Sequence, residues 1–170
     1  EMRPEEFEQS PFRLIGTDWM LIAATMDGRT NAMTASWGGL GRLWNKNVAF
    51  VFIRPQRFTK TIVDGAETFS LTFYDEGYRK LLGYMGSVSG RDEDKIKNSG
   101  LTLLQEKGTP YFKEAKAAIL CRKLYAQDLR SECFLDGRAA PKKDVLAAGN
   151  AISDGLMREI ERVGLGPSWT

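Results

Sequence analysis

NAMTASWGGLGRLWNKNVAFVFIRPQRFT, residues 31–59, carries three structural signals in succession. Small and hydroxyl residues come first (31–37), then a glycine break at Gly38, Gly39 and Gly41 with a polar Asn45-Lys46-Asn47. A continuous apolar run follows (48–53, VAFVFI), of the length and composition of a fully buried strand. Arg54-Pro55 ends that strand, and residues 57–63 read as a two-turn helix stopped by Asp64-Gly65. Upstream, Leu14-Ile15 and residues 19–26 (WMLIAATM) have strand-like apolar density. Asp27-Gly28 is a tight-turn signal leading into residues 30–37, so this part reads as an antiparallel hairpin.

Working outward, residues 68–74 (TFSLTFY) are β-branched and aromatic and read as a strand. Residues 76–85 place Leu81, Leu82 and Met85 at helical spacing, residues 92–97 read as a short helix, 101–105 as an extended segment, and 116–125 as extended or, on its alanines, helical. The polar lead-in 1–12 reads as an arm of low order. Residues 145–163 read as locally helical, and 164–170 as a tail. Five or more strands with a few short helices, and no βαβ spacing, predict one mainly β domain with short helices, a barrel or an α+β fold.

The whole chain of 170 residues is enough for a single domain with a real core. With 24 basic and 22 acidic side chains, it has no strong field for nucleic acid or an anionic membrane, and neither is expected as a partner. No apolar run reaches membrane-spanning length, and the acidic start does not resemble a signal peptide, so a cytoplasmic location is expected. Cys121 and Cys133 allow at most one bridge and are expected as free thiols. Histidine is absent, which removes His-based triads, histidine general acid or base chemistry and His-containing zinc sites, and if the protein is an enzyme its chemistry is expected to belong to a bound cofactor.

Three clusters carry chemistry. Met33, Thr34, Ala35, Ser36 and Trp37 form an edge whose short side chains leave backbone groups open to a planar heteroaromatic ring, or simply face another sheet. Arg54, Gln56, Arg57 and Thr59 combine guanidinium forks, a hydroxyl and a helix start, suited to a phosphate or to a basic loop in solvent. Ser89, Gly90, Arg91 and Lys95 add a hydroxyl, an accessible backbone and two cations. Arg91 points to an anion or pairs with Glu93 or Asp94, and Asp92 reads as a helix cap. No EF-hand, Walker or dinucleotide spacing is present, and no metal site is expected.

Taken together, the 31–59 stretch, SLTFYD (70–75), GYMGSVSGRDEDKIKNSGLT (83–102) and CRKLYAQDL (121–129) resemble the flavin reductase-like, FMN-binding split-barrel family, in its flavoredoxin branch. The resemblance covers about residues 10–135 of a single domain spanning 1–170, and the segment 136–170 diverges. It implies an FMN-binding split β-barrel and a homodimer. It further implies FMN held by the edge at 33–37, by Arg54, Gln56, Arg57 and Thr59, and by Ser89, Gly90, Arg91 and Lys95, with Asn31 holding the hairpin turn. The expected function is an oxidoreductase passing hydride from NADH or NADPH to bound flavin and on to flavin, ferric or protein acceptors. Two alternatives stand beside it: a flavoredoxin-like electron-transfer protein without its own NAD(P)H activity, and a non-catalytic flavin-binding protein. The resemblance also implies a closing strand near residues 151–163, where Ser153 and Gly155 weaken the pattern.

Overall fold

The computed structural model describes residues 3–129, Leu135, and the backbone of a strand at 160–165. The fold is mainly β with short helices. Seven antiparallel strands form one sheet in the order β2-β1-β5-β8-β9-β4-β3: β1 is Met20–Met26, β2 Arg29–Ala35, β3 Gly38–Leu43, β4 Lys46–Ile53, β5 Thr68–Phe73, β8 Ala117–Asp128 and β9 Ile160–Leu165. A separate hairpin pairs β6 (Leu103–Glu106) with β7 (Thr109–Phe112). Among the described residues four α-helices decorate the sheet: α1 Pro11–Gly16, α2 Phe58–Gly65, α3 Arg79–Ser87 and α4 Lys95–Ser99.

Alternation along β1 sorts its residues into two cores. Met20, Ile22 and Ala24 join Ala49, Val51 and Ile53 of β4 and Ile62 and Val63 of α2 in one cluster. Leu21 and Ala23 face the other way, onto Leu82 and Met85 of α3, Tyr74 and Phe112. The sheet thus has helices α2 and α3 against opposite faces, and the N-terminal end of α2 and the C-terminal end of α3 meet beside β2.

Three hairpins share one device. The turns at Asp27-Gly28, Trp44-Asn45 and Lys107-Gly108 are two residues long and have positive φ at both positions (51° and 75°, 51° and 58°, 48° and 80°), the geometry that follows strand twist. Only the first was legible from its dipeptide.

Several expectations are corrected. Leu14 and Ile15 are buried in a helix, not a strand: Pro11 sits in its first turn and both side chains enter the core. The lead-in forms a 3-10 turn at Pro4–Glu6, closed by Arg3 on Glu6. The glycines at 38, 39 and 41 do not break the chain but build β3. At Gly38, with φ 155°, a Cβ would lie 2.3 Å from the Phe50 carbonyl oxygen, so glycine lets β3 approach β4. Residues 160–163 are strand and not helix, and Gly164 and Leu165 continue β9 and are not tail, because β9 fills the slot between β4 and β8. The remainder of the expected helix and tail, and Cys133, lie outside the described residues. Cys121 is a buried free thiol whose pKa is pushed up by burial.

Candidate functional site

Two adjoining hollows lie where β2, the start of α2 and the end of α3 converge. The broader, about 350 Å³, is walled by Met33, Thr34, Ala35, Ser36 and Trp37 at the end of β2, by Phe52 and Arg54 from β4, and by Trp19, Leu82 and Gly83. The smaller, about 80 Å³, is lined by Gln56, Arg57, Phe58, Thr59, Ser89, Gly90, Lys95 and Asn31. Arg57 and Ser87 belong to both, so the hollows are continuous.

The wide cavity takes its shape from strand alternation. Met33 and Ala35 have their side chains in the core, while Thr34 turns toward α3 and its Oγ1 donates to the Leu82 carbonyl at 2.5 Å. β2 ends at Ala35, so Ser36 and Trp37 run on as open backbone beside the hollow. Trp37 is 42% exposed at the rim, with the Arg54 guanidinium 5.8 Å from its ring centroid.

A half-buried and a buried cation, Arg57 and Lys95, dominate the small compartment. Arg57 occupies the N-cap position of α2 without a side-chain capping bond, and its Nη2 donates instead to the Gly86 carbonyl at 2.7 Å. Lys95 is 3% exposed, and its Nζ donates to the carbonyls of Met85 (2.9 Å) and Val88 (3.0 Å), satisfying the end of α3. Burial, with Arg54 nearby, lowers the Arg57 pKa; burial, with Arg57 nearby, lowers that of Lys95 to about 8. Among the described residues no carboxylate forms an ion pair with Arg54, Arg57, Arg91 or Lys95. Mutually repelling, partly desolvated cations without an acidic partner fit an anion arriving from outside, and the first N–H groups of α2 have no intrahelical acceptor and add donors.

Asn31 and Thr59 explain how the compartment is held. Asn31 is buried within β2 and does not hold the hairpin turn as expected; its Nδ2 donates to Thr59 Oγ1 at 2.8 Å, tying sheet to helix. The Ser89–Gly90 loop packs onto this pair so closely that a Cβ on Gly90 would meet Asn31 Oδ1 at 2.3 Å. Ser89 Oγ accepts from the Arg91 backbone N–H at 3.1 Å and keeps its own proton to donate. Asp94, not Asp92, caps α4, accepting from the Lys97 N–H at 3.1 Å.

A profile of the family described as flavin reductase like domain matches residues 12–135. The chain belongs to that family. No curated protein sequence matches it. Among solved structures it resembles the flavoredoxin of Methanosarcina acetivorans (20% identity, TM-score 0.66, covering 90% of this chain and 67% of that one). It also resembles the flavoredoxin of Desulfovibrio vulgaris (18%, 0.66, 99% and 76%). A third likeness is an FMN-binding protein of Thermus thermophilus, solved with p-hydroxybenzaldehyde bound (21%, 0.64, 98% and 75%). At these identities the likeness establishes the fold, a flavin reductase-like split barrel, as the sequence implies.

Within that fold, twelve of the thirteen residues singled out from sequence line the two hollows. The thirteenth, Arg91, is exposed and lines neither; its Nη1 reaches the Gln56 carbonyl at 3.3 Å, its Cζ lies 5.0 Å from the Phe58 ring, and it pairs with neither Glu93 nor Asp94. Arg29 escaped the sequence reading. Its Nη2 donates to the Gly90 carbonyl at 2.8 Å and its Cζ lies 4.4 Å from the Phe58 ring, so two guanidiniums brace one phenyl group at the compartment's outer edge. Its place directly after the Asp27-Gly28 turn, facing a loop 61 residues away, left no local signal. Phe52 was likewise hidden in an apolar run, although alternation within β4 would have marked it as facing away from Val51 and Ile53.

Proposed function

We propose that the chain binds FMN, with the ring in the broad cavity and the phosphate in the small compartment, and serves as an electron-carrying flavoprotein in the manner of a flavoredoxin. One observation carries this reading: the compartment gathers Arg57 and Lys95, half-buried and buried, without any described acidic partner, directly beside a cavity wide enough for a planar ring. A mononucleotide flavin has that division into ring and dianion. When bound, FMN supplies a ring that accepts two electrons together and releases them singly or in pairs.

The protein's part is binding, orientation and electrostatics. Arg57, Lys95, the Ser89 hydroxyl and the N–H groups at the start of α2 hold the phosphate; Gln56 borders it and Thr59 keeps Asn31 in place. Ser36, Trp37 and the open backbone after β2 meet the ring edge, and Arg54 beside Trp37 brings positive charge to the rim. Histidine is absent from the chain, so nothing in it is positioned as a His acid or base.

A second reading, in which NADH or NADPH reduces the bound flavin directly, is favoured by the rim of the cavity, where Trp37 stands 42% exposed and leaves room for another planar ring. Anaerobic titration of the FMN-loaded protein separates the two. Bleaching of the flavin absorbance only by a reduced redox protein supports the carrier; rapid bleaching by NADH or NADPH replaces it with the reductase. We also propose a homodimer, with the exposed Trp44 and Tyr125, packed edge to face at 6.4 Å, on the contacting surface. Light scattering at twice the monomer mass is the expected result, and a monomer with FMN bound contradicts it.

A further inference from the structure

Trp19 holds a backbone conformation that a bulky residue adopts only under constraint, φ 70°. It stands directly before β1, and its indole lines the broad cavity. The ring also carries a cation: the Arg79 Cζ lies 3.2 Å from its centroid. Arg79 opens α3, and its Nη1 donates to the carbonyls of Thr17 (2.5 Å) and Asp18 (3.5 Å), the two residues that precede Trp19. One guanidinium therefore grips both the constrained backbone and the ring. Because it covers one face of the indole, only the opposite face and the edge remain for the cavity. Arg79 itself does not line that cavity, and among the described residues it forms no ion pair with a carboxylate.

We propose that Trp19 and Arg79 form a charged wall of the cavity: Trp19 touches the ring that occupies it, and Arg79, acting through the indole, favours added negative charge on that ring. The proposal rests on the FMN reading above. A cation held one aromatic thickness away lowers the energy of an electron-rich ring more than that of its oxidised form, and because Arg79 is exposed, solvent on its open side reduces the effect without removing it. Trp19 is thus a contact residue, and Arg79 is a positioning residue that works through it.

The test uses FMN-loaded protein and the variants Arg79→Met, Arg79→Lys and Trp19→Phe. Midpoint potentials are read by equilibration with a reference dye, and FMN affinity by flavin fluorescence. Arg79→Met weakens the hold on reduced FMN about two- to fivefold more than on oxidised FMN, seen as a more negative potential. Arg79→Lys recovers most of that difference, because the charge is kept. Trp19→Phe loses part of the quenching of the bound flavin. An unchanged potential in Arg79→Met, or a loss in Arg79→Lys as deep as in Arg79→Met, overturns the proposal. Should Trp19→Phe fail to fold, the Arg79 variants decide alone, since that side chain is exposed. Failure of the FMN reading is distinct: the unsubstituted protein would then retain no FMN, which removes both, whereas an unchanged potential removes the wall only.

Discussion

The small compartment and the broad cavity share Arg57 and Ser87 but are built by opposite means. Hydrogen bonds bind the compartment from several sides: Asn31 to Thr59, Lys95 to two carbonyls at the end of α3, Arg57 to Gly86, Arg29 to Gly90. The cavity is bounded mainly by a strand end and by Trp19, Trp37 and Phe52, with Thr34 on Leu82 as its tie to α3. A pre-tied cluster of cations suits recognition of a fixed anion. A cavity with an aromatic rim suits a ring whose charge changes. On this account affinity resides in the compartment and redox tuning in the cavity.

The comparison breaks first at Arg57. Arg57→Met removes a half-buried cation from the compartment and should weaken FMN binding by about 3 to 4 kcal/mol, while riboflavin affinity changes little. Parallel fluorescence titrations check it; equal losses for both flavins would move Arg57 from phosphate to ring.

Lys95 gives the next largest effect. Its folded pKa of about 8 lies below the ordinary value of 10.5, so between these pH values the unfolded chain binds more protons than the folded one. Stability of the FMN-free protein should therefore rise from pH 8 to 10.5, by about 2 to 3 kcal/mol from this group, and the gain is lost as pH falls. Denaturant titrations across that window measure the slope, which Lys95→Met should abolish. A bound phosphate favours the ammonium form, so FMN binding above pH 8 takes up a proton and affinity falls as pH rises.

Arg29 and Arg91 act at the outer edge. Each replaced by Ala should cost about 1 kcal/mol of FMN affinity, the value of an exposed, stacked cation rather than of a buried one. Losses like that of Arg57→Met would place them inside the compartment. The smallest effect concerns stability alone. Asp94→Ala should cost about 0.5 to 1 kcal/mol through its lost cap and leave FMN affinity unaltered, while Asp92→Ala should change neither stability nor affinity.

How much of this was readable in advance follows from the range of the forces involved. Residues 48–53 and 68–73 became strands because apolar density and β-branching act locally, and the two basic clusters were visible as hydroxyls and cations at element ends. Leu14 and Ile15 misled because two adjacent apolar residues fit either period, and packing chose the helix. The glycines of β3 misled because their value lies in contact with a neighbouring strand. Residues 160–163 end a helical spacing that runs through Ile152, Leu156, Ile160 and Val163, and pairing with β4 and β8 overrides it. In the site, the cations were legible but their organisation was not. Arg29 on Gly90, Asn31 on Thr59 and Arg79 on Trp19 join residues 28 to 61 positions apart, or act across a ring, and no local pattern encodes them.

The division of labour between compartment and cavity is tested most directly by the ratio of dissociation constants for riboflavin and FMN in the unsubstituted protein. The two ligands share a ring and differ by the phosphate alone. The account predicts that FMN binds at least about a hundredfold more tightly at pH 7, the worth of charge-assisted bonds to Arg57 and Lys95. Equal dissociation constants would contradict it, since the compartment would then recognise no phosphate.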